Sequence, residues 1–443
     1  MPLSLSQFLE GNSLDLNAAS GVYLFMCPWP LSAVGGVVQV VKELSLSMEK
    51  ERRKGGTLFP LVWVPDWSCK KPQFEQHSSG VWVMRMRIPV LHSMCKKSVP
   101  WLTKCKSQIY ARRRIGLLRA IFDGLRVVCL NVHYVNDMTE SLLNWLEVAG
   151  RRESIILRLS FHGTDFQHFE TMYPMGQHIA SHLLRSTSDK VVACSSALRT
   201  SLLKFFPPEQ ILVAYSGVNI RTLKMAARAP LKLPNETPYI IHVGKFTAAK
   251  GQIELLHAFA MIHREIPHHL VMVGASTGQF DEVELPKLAA KLGVAHRVSI
   301  FCNVPHQQIG GFIAGASVLC LPSHQEAFGL VLMEAGVLGV PVIASDLGGI
   351  KECLAMAESE PAANCEMGAI VPVAAPWSLA RAMLSALVSD HETTLVKAAK
   401  YRDWLHSNRQ WENTLMQYDL HSCKRMQQEL EWNDSSSLLP DAL

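Results

Sequence analysis

The sequence predicts an α/β protein made of two units, each a largely parallel β-sheet wrapped by helices. Three observations carry this. Strand-like apolar runs alternate with helical patterns twice along the 443 residues, the mark of parallel sheets with helical crossovers. A stretch without periodicity, 224–238, separates the two series and is punctuated by Pro230, Pro234 and Pro238. The charge balance also changes sign: residues 1–220 hold 25 Lys and Arg against 16 Asp and Glu, the remainder 18 against 22. That asymmetry fits two units, with an anionic surface or substrate near the first.

The first series opens with GVYLFMC over 21–27, an apolar run of strand length. A loop with Pro28, Pro30 and Gly35-Gly36 follows, then a helical pattern through Val37, Val40, Val41 and Leu44. Further strands are expected over 58–64, 81–85, 127–131, 155–161 and 190–194. The second series has strands over 239–243, 269–273, 298–301, 316–321, 340–344 and 368–371. Its helices fall over 252–266, 282–292, 305–315, 329–338, 349–357 and 376–389. The expected organisation is a first domain over 1–225, a linker over 226–238 and a second domain over 239–392. Helices over 393–432 pack back on the first domain, and a mobile tail, 433–443, follows. Ligands bind such sheets at the C-terminal ends of the strands.

Composition excludes several classes. Hydrophobic residues make up 48% and charged residues 18%, far from a disordered chain. The run 21–41 is too broken by Pro28, Pro30, Gly35 and Gly36 to span a membrane. The first ten residues carry no Lys or Arg, unlike a secretory leader, so the expected location is cytoplasmic. Eleven cysteines without a C-x-x-C pair read as buried free thiols, Cys27, Cys129, Cys194 and Cys320 among them.

Residues 322–352, PSHQEAFGLVLMEAGVLGVPVIASDLGGIKE, are the richest in chemistry. A strand ends at Pro322 and a helix begins near Phe328-Gly329. Glycine there lets an anion reach the first-turn N–H groups, where the helix dipole favours negative charge. Glu326 precedes the helix, and Glu334 lies roughly 7 Å along its axis from Gly329. Carboxylates flanking a phosphate site suit a ribose on one side and a sugar on the other; the alternative is a loop charge and a solvated helix residue. Residues 242–259 add a strand ending in Gly244-Lys245 and a helix opened by Lys250-Gly251. Two ammonium groups there would neutralise charge developing on a diphosphate leaving group, or else are ordinary surface lysines.

In order over 244–352 stand Gly244, Lys245, Lys250, Gly251, Val273-Gly274, Pro322, Ser323, Glu326, Phe328, Gly329, Glu334, Ala335, Gly339, Pro341, Val342, Ala344, Ser345, Gly348, Gly349 and Glu352. This ordered set resembles the retaining GT-B enzymes called glycosyl transferases group 1, of the family 4 type. The resemblance implies a GT-B fold, two Rossmann-like domains with parallel sheets facing across a cleft. It implies transfer of a hexose-type sugar from a nucleotide diphosphate sugar to a hydroxyl of a glycan or lipid-linked glycan, with retention of configuration. By the same resemblance Lys245 and Lys250 hold the diphosphate, helped by N–H groups near Gly329 and Leu330 and by neighbouring Phe328. Glu334 binds the ribose, and Glu326 contacts sugar hydroxyls and the cationic anomeric carbon. The loop 301–304, with Asn303 where the family often has glycine, packs near the base. Lys245 replaces the commoner arginine, losing bidentate geometry but not charge. No cofactor or metal is implied, and no D-x-D occurs in the chain.

The first half resembles the family less closely. Gly35-Gly36 matches its glycine-rich first loop, which faces donor phosphates and acceptor. LSFHGTDF over 159–166 matches a segment that places His162 beside the reacting sugar, with Asp165 nearby; the alternative is an ordinary structural histidine. His133 is a second cleft candidate. Ser216 and Asn219 replace the family's asparagine and aspartate near the hinge. The expected catalytic set is therefore His162, Glu326 and Lys250.

Residues 96–119 hold eight Lys and Arg and no acidic residue, interleaved with Trp101, Ile109, Tyr110 and Ile115. Two readings stand: peripheral contact with an anionic membrane, as in relatives with lipid-linked acceptors, or a solvated helix face. Rival functions are a phosphorylase or epimerase on the same fold, or a non-catalytic scaffold subunit. Nucleic-acid binding is not expected, since no accompanying motif occurs.

Overall fold

The computed structural model describes residues 2–12, 16, 21–87, 116–172, 183–356, 367–388, 391–421 and 423. Most of the basic stretch 96–119, and all of 433–443, lie outside the described residues.

The first sheet comprises β1 (Gly21–Met26), β2 (Leu58–Pro65), β3 (Gln73–Gln76), β4 (Trp82–Met86), β5 (Val127–His133), β6 (Ile156–Phe161), β7 (Lys190–Ala193) and β8 (Ile211–Val213). Their order is β3-β4-β2-β1-β5-β6-β7-β8, and the described pairings are parallel except β3 with β4. Strands β1, β5 and β6 are buried along their whole length, which is why β1 and the start of β5 read as continuous apolar runs rather than alternations. Two polar intruders pair with each other: Asn131 donates to Tyr23 Oη at 3.1 Å and accepts from Ser160 Oγ at 2.8 Å.

The second sheet comprises β9 (Tyr239–Val243), β10 (His269–Gly274), β11 (Val298–Cys302), β12 (Val318–Leu321), β13 (Val342–Ser345) and β14 (Gly368–Val371). Its order is β11-β10-β9-β12-β13-β14, and the described pairings are parallel. Two parallel-dominated sheets with helical crossovers give the expected pair of Rossmann-like domains. The four named cysteines are buried free thiols.

Three local differences from the sequence reading have physical causes. Strand β3, QFEQ, is a short polar edge strand running antiparallel to β4, and its composition carries no strand signal. Strand β8 is only three residues long and follows the single turn Pro208–Gln210. The aperiodic break begins inside a helix, Ile220–Ala226. This helix packs on helix His306–Ala314 of the second domain, where any side chain at Gly310 would press on Ala226 and Leu223.

After the second sheet, helix His391–Asn408 packs on helix Leu330–Leu338, and helix Trp411–Met416 packs on helix Gly36–Arg53 of the first domain. The chain thus crosses between domains twice, and the crossings touch. Val218 N–H donates to the Arg409 carbonyl at 2.8 Å, and a Cβ on Gly217 would lie 2.7 Å from Trp411 N. Beyond the second crossing, the buried guanidinium of Arg158 donates to the carbonyls of Ser188, Tyr418 and Asp419, anchoring the chain on the first sheet.

Candidate active site between the two domains

The C-terminal strand ends of the two sheets meet. Gly163, after β6, has φ +112°, and a Cβ there would lie 2.7 Å from the Ala327 Cβ of the second domain. Gly36 faces Leu330, with 3.6 Å from its ideal Cβ to Leu330 Cδ1. Gly348 approaches Ala197 in the same way, at 2.6 Å. Glycine at Gly163 and Gly348 permits a close approach that a side chain would block. The expected loops, with Gly35-Gly36 and His162 from one domain and Glu326 and Gly329 from the other, are therefore brought together.

Within the second domain two loops are laced to each other. Gly251 has φ +71°, and a Cβ on it would collide with the Pro322 carbonyl at 2.0 Å. His324 N–H donates to the Ala249 carbonyl at 2.9 Å. This lacing sets Lys250 Nζ 2.6 Å from Glu326 Oε2, in an ion pair with both side chains about four-fifths covered. The sequence placed both residues on the donor; the structure also joins them directly. Gly329, φ +91°, starts helix Leu330–Leu338, whose first turn carries no side-chain cap, so its N–H groups are available to an anion. Lys245 lies two residues beyond β9, with its side chain exposed and its carbonyl held by Gln252 Nε2 at 2.9 Å.

Glu334 lines a narrow pocket with Gln39, Asn219, His306, Leu330 and Trp411. Burial pushes its carboxyl up to about 7. His306 Nε2 lies 3.9 Å away, and burial followed by the charge of Lys42 brings that imidazole down to about 4. The pair is thus a neutral imidazole beside a carboxyl poised near neutrality, apt to exchange hydrogen bonds with hydroxyls.

Asn303 adopts the left-handed conformation, φ +55°, which asparagine tolerates better than most residues. This accounts for an asparagine where glycine is common. Its N–H donates to the Gly274 carbonyl at 2.7 Å, and its Oδ1 accepts from Ser276 N–H at 3.1 Å.

Two of the expected site residues are buried. Asp165 is fully buried and accepts the backbone N–H groups of His162, Phe166 and Val135, so it shapes the His162 turn. Burial raises its carboxyl to about 7 against the effect of those bonds. Phe328 is also buried. Its ring packs 5.9 Å from Tyr215 of the first domain and 5.7 Å from the Arg409 guanidinium, filling the junction between domains. His162 itself is half-buried, with Nε2 3.0 Å from His133 Nδ1.

Sequence reasoning assigned no role to Glu352, although it closes the G-G-x-x-E pattern. Its carboxylate accepts N–H bonds from Ser196 at 2.6 Å and Ala197 at 2.7 Å, at the start of helix Ser196–Leu202 in the first domain. Asn219 gains an account too. It caps helix Ile220–Ala226 through Thr222 N–H and donates to the buried Glu43 carboxylate at 3.2 Å, which an aspartate could not do.

Two parallel-dominated sheets whose C-terminal strand ends face each other define the GT-B class. Residues 224–402 match the family model described as Glycosyl transferases group 1, and the second domain is a domain of that group. The chain is 32% identical over 200 residues to D-inositol 3-phosphate glycosyltransferase of Streptomyces avermitilis, covering 42% of this chain and 43% of that protein. It thus spans less than half the length of the curated relatives it matches. Among solved structures, sucrose-phosphate synthase from Thermosynechococcus elongatus aligns over 94% of this chain and 100% of its own, with TM-score 0.67 and 19% identity. Anabaena HepE in complex with UDP and glucose aligns over 94% and 100%, with TM-score 0.63 and 17% identity. Among the described residues, no helix is long and apolar enough to cross a membrane.

Proposed function

We propose that the protein transfers a hexose-type sugar from a nucleotide diphosphate sugar to a hydroxyl acceptor, with retention of configuration and no required metal. The observation that carries this is the Lys250–Glu326 pair at 2.6 Å, set before the uncapped helix at Gly329 and beside the His162 turn of the opposite domain. A donor diphosphate on the Leu330 N–H groups would draw Lys250 toward the departing charge. Glu326 would then be released toward the sugar and its cationic anomeric carbon. Glu334 would take the ribose hydroxyls. The proton of the acceptor hydroxyl would pass to the leaving phosphate. Closure of the domains would exclude water that otherwise hydrolyses the donor. Relatives named for glycosyl transfer to D-inositol 3-phosphate, and a neighbour that binds UDP and glucose, support a nucleotide-sugar donor.

The test is turnover of UDP-, GDP- and ADP-sugars, with and without acceptor hydroxyl compounds, by the parent chain, Glu326→Ala and Lys250→Ala. Selective use of one donor, lost in both variants, supports the reading. Unchanged turnover in the variants sinks the site, and no donor binding at all favours a scaffold.

A further inference from the structure

His133 is fully buried at the end of β5, between the rings of Phe25 and Tyr418, 6.0 and 6.4 Å away. Its Nδ1 meets His162 Nε2 at 3.0 Å, and its Nε2 is buried without a hydrogen-bond partner. One proton lies between the two rings, and it has two arrangements. If His162 Nε2–H donates, His133 must carry its own proton on Nε2, as a buried N–H with no acceptor. If His133 Nδ1–H donates, the orphaned Nε2 is only a bare lone pair, and the proton of His162 sits on Nδ1. Buried donors without acceptors are the rarer and costlier case.

We infer that His133 is a positioning residue that fixes His162 in its Nδ1–H tautomer, so that the one nitrogen left to meet a ligand is a hydrogen-bond donor. His162 therefore gives a hydrogen bond to a sugar or leaving-group oxygen and does not accept a proton from the acceptor hydroxyl. Burial supports this by keeping both rings neutral, with His162 down at about 4 and His133 well below its ordinary value. The neighbouring ring nitrogen deciding which nitrogen carries the proton is general imidazole chemistry. The role of His162 toward sugar rests on the function proposed above; the tautomer does not.

The experiment is long-range proton–nitrogen correlation on the full chain with nitrogen-15 histidine, near pH 7.5. Signals are assigned with His162→Gln and His133→Asn. The expected spectrum has both Nδ1 atoms protonated and both Nε2 atoms bare. His162 protonated on Nε2 overturns the proposal. In His133→Asn the amide N–H replaces the donor, so the His162 pattern and most turnover return. In His133→Leu the pattern mixes and kcat falls roughly tenfold to a hundredfold, as when a partner that orients a metal-bound imidazole is lost, with donor KM little changed. A parental pattern in folded His133→Leu would also refute it. If that variant does not fold, the parent and His133→Asn spectra decide alone. A parent chain that turns over no nucleotide sugar fails the functional reading, while its spectrum still settles the tautomer.

Discussion

The carboxylate of Glu352 sits on the N–H of Ala197, 155 residues earlier in the chain and in the opposite domain. With Ser196 N–H it forms a two-pronged bond that exists only while the domains are together. Hydrogen bonds to a charged group contribute about 1.5–3 kcal/mol, so Glu352→Ala shifts the balance toward the open form by roughly tenfold to a hundredfold. Small-angle scattering should show a larger radius of gyration, and donor turnover should fall, with Glu352→Gln between. An unchanged radius and rate would refute the latch.

Lys250→Ala leaves Glu326 without its ion-pair partner. Partly exposed pairs stabilise by about 1 kcal/mol or less, so the melting temperature should barely move. Loss of a cation aimed at developing phosphate charge costs roughly 10²–10³ in kcat. Stopped-time turnover beside calorimetry separates the two effects; equal losses in both would mean a structural lysine.

Asn219→Asp sets a carboxylate against Glu43. Burial already holds Glu43 above its ordinary value, so its stabilising contribution is full below the ordinary carboxyl range and is lost as pH rises. The variant deepens that loss. Urea melts should show a deficit of about 1–3 kcal/mol at pH 8 and a smaller one at pH 5. A deficit that shrinks with rising pH would contradict the contact.

Glu334 titrates near 7, above an unfolded carboxyl. The folded chain therefore binds the extra proton between roughly pH 4.5 and 7, and this contribution drains away as pH rises through that window. Glu334→Gln should gain on the parent over the same interval, by at most about 3 kcal/mol. Ligand-free melts of both proteins at pH 5 and pH 8 check it; a constant difference would mean that Glu334 is ordinary. Donor turnover should fall in the variant, because an amide is the poorer acceptor for ribose hydroxyls.

Much of this was legible in the residues. Strands such as GVYLFM and VVCLNVH announce themselves because both faces are covered, and Gly251 stands where the Pro322 backbone approaches. Glu326, Lys250 and His162 were expected in one cleft, and their loops do meet. What escaped were relations between distant segments. Nothing near Glu352 names Ser196, and nothing near Phe328 names Tyr215. Asp165 looked like a ligand because its own burial cannot be read from its neighbours. The edge strand QFEQ is held by its partner β4, not by its own preference.

The touching of the two crossings at Gly217 and Trp411 has a mechanical consequence. Two peptide strands pinned by the Val218–Arg409 bond make one axle rather than two loose tethers. A swing of the halves about that line would keep the bond, whereas sliding or twisting them past one another would break it. Such a swing would bring the His162 turn back to its place against Ala327.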